Sequence, residues 1–309
     1  MFLANIDLPL KRLQAVIRIC GHNPRRCLDA AVSPAEASQN IIAAINECNN
    51  LREVISQAHS GQQIHRAFEI YPALPSRQLD ICLIRPISDW VFSHIIAELD
   101  RQGADAAYRL YQTLEGTPAG ASLAGRLFEN KVHKFFRSIT EFRRFTIFSL
   151  EKPSIKFDIE FSSGTRYCNF GATQHFSGQL ASAVNDGKSC YLVPVSPVFP
   201  TFDSFLYQHG MSRAGYQSLV GLQITGGKEH PISVKGLAET QKSLKPKIPV
   251  LNDLRPIPTK KWIILFVFPE TMMASFQMQQ FTDSEKCAHW AEKTTQYVLG
   301  LPVQEVLRS

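Results

Sequence analysis

The longest apolar run in the chain is Trp262-Ile-Ile-Leu-Phe-Val-Phe268, set between Lys260-Lys261 and Pro269. Seven residues make a strand; a membrane-spanning helix needs roughly 20. The chain must therefore bury its apolar side chains in a core of its own. With 44% hydrophobic and 19% charged residues among 309, it has the means. That length suits one large domain or two ordinary ones. The start, Met1-Phe-Leu-Ala-Asn-Ile-Asp7, carries an early acid and no basic flank, so no secretory signal is expected. The seven cysteines are scattered and no two form a CxxC, which excludes a zinc ribbon or redox pair by spacing. They read as reduced thiols of an intracellular protein, in nucleus or cytoplasm.

Periodicity divides the chain into a helical first third and a mixed α/β remainder. Apolar spacing predicts a helix over 8–20 and a second from Ser33-Pro34 to about residue 58, with Glu36 completing a capping box. Two extended segments follow at 65–71 and 78–83, so that the region resembles a winged helix. Helices are expected over 88–99 and 104–114. Gly116-Thr-Pro-Ala-Gly120 is a break, placing the boundary between domains 1–116 and 117–309. Beyond it come a helix (122–138), strands (144–150, 156–161, 166–170, 190–193, 202–207, 218–225), a helix (233–244), the apolar strand 261–268 and a closing amphipathic helix (284–299).

Three polar residues stand at ordered points of the second domain. Glu129 is mid-helix, Asp203 begins a strand, and Gln223 nears the end of the next, so two adjacent antiparallel strands would bring Asp203 and Gln223 to one end. An acid flanked by Phe202 and Phe205 is costly to bury unless paired or metal-bound. Each also has a plainer reading: Glu129 as a solvated helix face, Asp203 as a strand-start cap, Gln223 as a satisfied buried amide. His133 lies one turn after Glu129 and could pair with it on the helix surface.

This layout resembles the restriction-endonuclease-like, PD-(D/E)xK, nucleases, with a mixed-sheet αβββαβ core. The resemblance implies that Asp203, Glu129 and the main-chain carbonyl of Ile224 hold Mg²⁺ or Mn²⁺, a hard cation that takes oxygen ligands. It implies that Gln223 orients a ligand or water. The position that holds lysine in such nucleases is Thr225, so Lys228, on the Gly226-Gly227 turn, is the candidate to assist, with Lys235 and His230 behind it.

The wording Leu127-Phe-Glu129, Phe199-Pro-Thr-Phe-Asp203, Leu222-Gln-Ile-Thr225 and Glu229-His-Pro-Ile232 resembles the C-terminal region of Crinkler and retrotransposon-hot-spot type proteins. Members of that family carry a P-loop NTPase, a helical segment and a nuclease-like domain. Cys20-Gly-His-Asn-Pro-Arg-Arg-Cys27 resembles the arginine-bearing lid that ends the NTPase, which would make Arg25 or Arg26 a sensor arginine. The chain has no GxxxxGK[ST], so no ATP site and no ATPase activity are expected, and a separate NTPase partner is implied.

The net charge of +6 is unevenly spread. Residues 1–116 hold 11 basic and 12 acidic residues; residues 117–309 hold 22 and 15. The excess falls around the proposed site: Arg126, Lys131, Lys134, Arg137, Arg143 and Arg144 to one side, Lys228, Lys235, Lys242, Lys245, Lys247, Lys260 and Lys261 to the other. That suits contact with a phosphate backbone, and the resemblance to nucleases implies DNA ahead of RNA. The expectation is a metal-dependent nuclease-like domain. The alternative is a nuclease fold that has lost catalysis and serves as a binding module.

Overall fold

A computed structural model describes residues 9–46, 66–72, 82–171, 173–196, 199, 201–211, 215–245, 247–282 and 287–309. The chain forms two compact units, Met1–Leu127 with Arg308 and Phe128–Leu307 with Ser309.

The first unit is mainly helical. Helices α1 (Leu10–Cys20), α2 (Pro24–Val32) and α3 (Pro34–Asn46) precede an antiparallel pair, β1 (Phe68–Pro72) and β2 (Cys82–Pro86). Then come α4 (Asp89–Gln102), α5 (Ala104–Glu115) and the start of α6 (Ala121–Arg137). Helix α2 is an addition to the sequence expectation. Asn23 caps it by accepting from the Arg26 N–H, and Pro24 takes the first turn. Helix α3 is described to Asn46; the rest of the segment expected to run to residue 58 lies outside the described residues. Ser88 caps α4, accepting from the Val91 N–H, and its hydroxyl donates to the Ile19 carbonyl.

The second unit is built on an eight-stranded mixed sheet. Its strands are β3 (Arg143–Ser149), β4 (Lys156–Phe161), β5 (Arg166–Phe170), β6 (Cys190–Pro194), β7 (Ser204–Tyr207), β8 (Tyr216–Ile224), β10 (Lys261–Pro269) and β12 (Thr294–Leu301). They lie in the order β4-β3-β12-β10-β8-β7-β6-β5. Strand β10, the apolar run, runs parallel to both neighbours, and β6-β7-β8 form an antiparallel meander. The sheet is curled: Gln208 Nε2, just past β7, donates to the Glu160 carbonyl on the edge strand β4 (3.3 Å).

Both faces of the sheet are covered. On one, Phe128, Val132 and Phe136 of α6 are buried, and the Phe136 ring stacks on Phe161 at 4.5 Å. On the other, Phe205, Phe266 and Phe268 form a core with Phe176 and Leu180 of α7 (Thr173–Asn185) and Leu237 of α8 (Val234–Ser243). Helices on both faces explain why β10 is apolar throughout.

The closing helix expected over 284–299 is overturned. Among the described residues of that span only α10 (Cys287–Lys293) is helical; a short α9 (Pro249–Asn252) precedes β10, and a short β9 (Ile232–Ser233) pairs with β11 (Phe281–Thr282). Residues 294–301 form β12, paired with β10 and β3. Thr294, Thr295, Tyr297 and Val298 favour extended backbone, and burial against two strands outweighs the helical spacing that led to the expectation.

Candidate active site

The local chain path into β7 delivers Asp203. Thr201, just before it, adopts the left-handed conformation at φ 75°, and its hydroxyl donates to the Ser233 carbonyl (2.9 Å). This bend turns the Phe202 ring onto Gly221, where a Cβ would lie 2.2 Å from a ring carbon. Glycine is required there by the close approach. Asp203 then donates its N–H to the Leu222 carbonyl (2.9 Å), and its Oδ2 accepts from the Ile224 N–H (2.6 Å).

Asp203 keeps a partial opening to solvent, yet protein atoms crowd its carboxylate. That burial, together with the charge of Glu129 on α6, pushes its pKa up to about 8; the Ile224 N–H acts the other way. No lysine or arginine is among the groups that shift it. Two carboxylates are thus brought together, and the anionic form of Asp203 is held by a single main-chain donor. The N–H and C=O of one strand residue leave on the same edge, so the Ile224 carbonyl faces the Asp203 side as well.

The remaining expected residues are placed differently. Gln223 stands opposite Phe266 in register and alternates with Leu222 and Ile224, which puts it on the Phe266 face of the sheet. It is buried and, among the described residues, its Oε1 has no hydrogen-bond partner, Asp203 included. Lys228 is exposed on its turn, and among the described residues its ammonium forms no ion pair. Thr225 has a structural use: its Oγ1 accepts from the Gly227 N–H (2.9 Å) and closes the Gly-Gly turn. His230 is partly buried, which lowers its pKa.

Two features escaped the sequence reading. The first is a buried chain beside the carboxylates. Ser204 Oγ donates to Tyr191 Oη (2.9 Å), and Tyr191 Oη lies 2.8 Å from His133 Nδ1. The tyrosine proton is left for Nδ1, so the histidine carries its own at Nε2. Burial lowers the His133 pKa to about 3 and keeps the ring neutral. His133 therefore belongs to this chain, a partner that the sequence expectation of a helix-surface pair did not include. Tyr191→Phe would strand both partners and is expected to cost about 1–3 kcal/mol, read as a lower denaturation midpoint. The second is a glutamine clamp. Gln279 accepts from the His230 N–H (2.6 Å) and donates to the Lys228 carbonyl (3.1 Å). Its main chain is bound in turn by the Gln296 amide at 2.8 and 2.9 Å. Only the fold, which sets β12 beside β10, could reveal that contact.

The basic residues split into two sets. Arg126 pairs with Asp89, Arg143 with Glu305, and Arg144 with Asp158 and Glu160, while Arg137 bonds Asn169 and Lys131 is buried. Lys228, Lys235, Lys242, Lys245, Lys247 and Lys260 are exposed and form no ion pair among the described residues.

Among the described residues there is no cluster of three or more His, Cys, Asp or Glu side chains, and no helix long and apolar enough to cross a membrane. Comparison with protein-family models, curated proteins and solved structures finds no match.

Proposed function

We propose that the second unit is a metal-dependent phosphodiesterase acting on nucleic acid, DNA ahead of RNA. It would share the αβββαβ plan of the restriction-endonuclease-like nucleases and the kinship with Crinkler and retrotransposon-hot-spot type proteins that its motifs suggest. The observation that carries the reading is the half-buried pair Asp203 and Glu129, in which Asp203 feels a second carboxylate and, among the described residues, no cationic side chain. Such a pair accommodates either a proton or a hard cation. The donor set fits Mg²⁺ or Mn²⁺: two carboxylates and the Ile224 carbonyl. When bound, the ion would polarise a phosphate and lower the pKa of an attacking water.

The chain's own residues supply the rest. The Ile224 N–H orients the Asp203 carboxylate. The Phe202 ring, packed on Gly221, fixes the main chain beside it. The meander β6-β7-β8, followed by α8 and the parallel strand β10, supports the nuclease-like plan. The exposed lysines of α8 and the loops beside it offer the charge for the phosphate backbone.

A second reading has its own observation. Thr225 caps a turn where a nuclease of this type holds lysine, and Lys228 stands exposed. Those facts favour a unit that holds nucleic acid without cutting it.

Plasmid DNA with Mg²⁺ or Mn²⁺ separates the two. The nuclease reading expects nicking by the intact protein and none by Asp203→Ala; an inert wild type that still binds DNA sinks it and leaves the binding reading. On either reading, Lys235→Glu with Lys242→Glu should weaken DNA binding. The pair should also reduce the salt slope of log K by roughly 2, about 1 for each lost phosphate contact. Arg144→Glu, at a residue already held by two carboxylates, should change the slope little; filter binding across a salt series reads all three.

A further inference from the structure

The first unit contains a cleft of about 660 Å³ at α1, α2 and α3, remote in chemistry from the carboxylate pair. Its apolar lining includes Cys20, Ile41 and Ile87. Two guanidinium groups, Arg26 and Arg66, line it together with Ser33 and Asn40.

Arg26 is the unusual member. The Asn23 cap fixes the first turn of α2, so that Arg25 is exposed while Arg26 turns inward. Its Nη1 is buried and, among the described residues, has no hydrogen-bond partner. Asp29 and Glu36 also line the cleft, yet among the described residues neither forms an ion pair with it. A buried, charged N–H without an acceptor is rare in a folded protein and unfavourable until one arrives. A cleft open beside such a donor can admit the acceptor from solution.

We propose that this cleft binds a small molecule bearing an oxyanion, a carboxylate or a phosphate monoester, whose oxygens accept from Arg26. A guanidinium suits both groups because its planar N–H fork matches paired oxygens. The carboxylates of Asp29 and Glu36 would repel a polyanion, so the ligand carries few negative charges. The lining of Cys20, Ile41 and Ile87 takes its apolar body, and Ser33 and Asn40 offer further hydrogen bonds. The inference is independent of the nuclease reading.

Isothermal titration of the full chain at constant ionic strength tests it, with inorganic phosphate and succinate as separate probes. At least one should saturate at a single site, and which of them does so identifies the class of ligand. Arg26→Gln should weaken that binding at least about tenfold, the loss of one charge-assisted hydrogen bond. Arg25→Gln should leave it unchanged. If circular dichroism shows that Arg26→Gln does not fold, Ala37→Leu takes its place, since it fills the cleft and spares the guanidinium. Failure of both probes to saturate the wild type, or undiminished binding by the Arg26 or Ala37 variant, overturns the proposal.

Discussion

Asp203→Asn is expected to abolish metal-dependent nicking and, with metal removed by chelation, to make the fold more stable above neutral pH. The two effects have one cause. Folding moves the carboxyl from an ordinary pKa of 3.8 to about 8, because burial and Glu129 oppose its charge. The native state then binds a proton that the unfolded chain has lost, so stability falls as pH rises from about 4 to 8. His133 acts in the opposite sense, since its pKa drops from 6.5 to about 3 on folding and its contribution to stability grows as pH rises through that range. Well above pH 6.5 its effect is complete, and Asp203 then acts alone of the two. Between pH 7 and 8.5 the wild type should lose about 1 kcal/mol on this account. The amide introduced by Asp203→Asn would keep an acceptor for the Ile224 N–H and carry no charge, so the variant's profile should be flat by comparison. Urea denaturation at the two pH values, in EDTA, measures the difference; parallel profiles would show that Asp203 is not the titrating group.

Gly221→Ala should be the most damaging single methyl group in the second unit. Its Cβ would fall 2.2 Å from one carbon of the Phe202 ring and 2.5 Å from two more. The ring has little room to retreat: it is 1% exposed and packs against Phe205 at 5.1 Å. Overpacking of this kind costs about 1–3 kcal/mol, and a ring held this tightly belongs at the upper end. The displacement also reaches Asp203, the next residue, so nicking should fall with stability. Phe202→Leu is expected to be harmful alone and less so beside Gly221→Ala. A double-mutant cycle by thermal denaturation should therefore show clear non-additivity; strictly additive losses would mean that the clash is relieved elsewhere.

Much of the sheet was legible because strand period and apolar content agree. Strands β3, β4, β5 and β10 fall within a residue or so of their expected limits. Helix α6 was legible from Phe128, Val132 and Phe136 on one stripe. Helix α7 was missed although Phe176, Leu180 and Ala183 carry the same spacing, and all three are fully buried. Helix α2 was missed because Gly21-His-Asn-Pro24 reads as a turn, when Asn and Pro there are the start of a helix. At the site, the approach of Glu129 to Asp203 was implied by the resemblance to nucleases, while strand order pointed to Asp203 and Gln223. The placement of Gln223 was not legible, because a bend at Thr201 sets Asp203 apart from the simple alternation that governs β8. The chain of Ser204, Tyr191 and His133 draws on two strands and a helix, and no spacing in the sequence signals it.

The place of β12 bears on how the protein is made. Among the described residues the hairpin of β3 and β4 pairs, as strands, with the other five only by way of β12, whose residues, 294–301, come more than a hundred positions after the hairpin. During synthesis the hairpin and the meander therefore leave the ribosome with two unjoined sheet edges between them. Contacts so distant in sequence close slowly, and exposed edges in the interval invite pairing with other chains. Assembly of the sheet waits on its last strand, and the demand for chaperone protection should end only when Thr294–Leu301 has emerged.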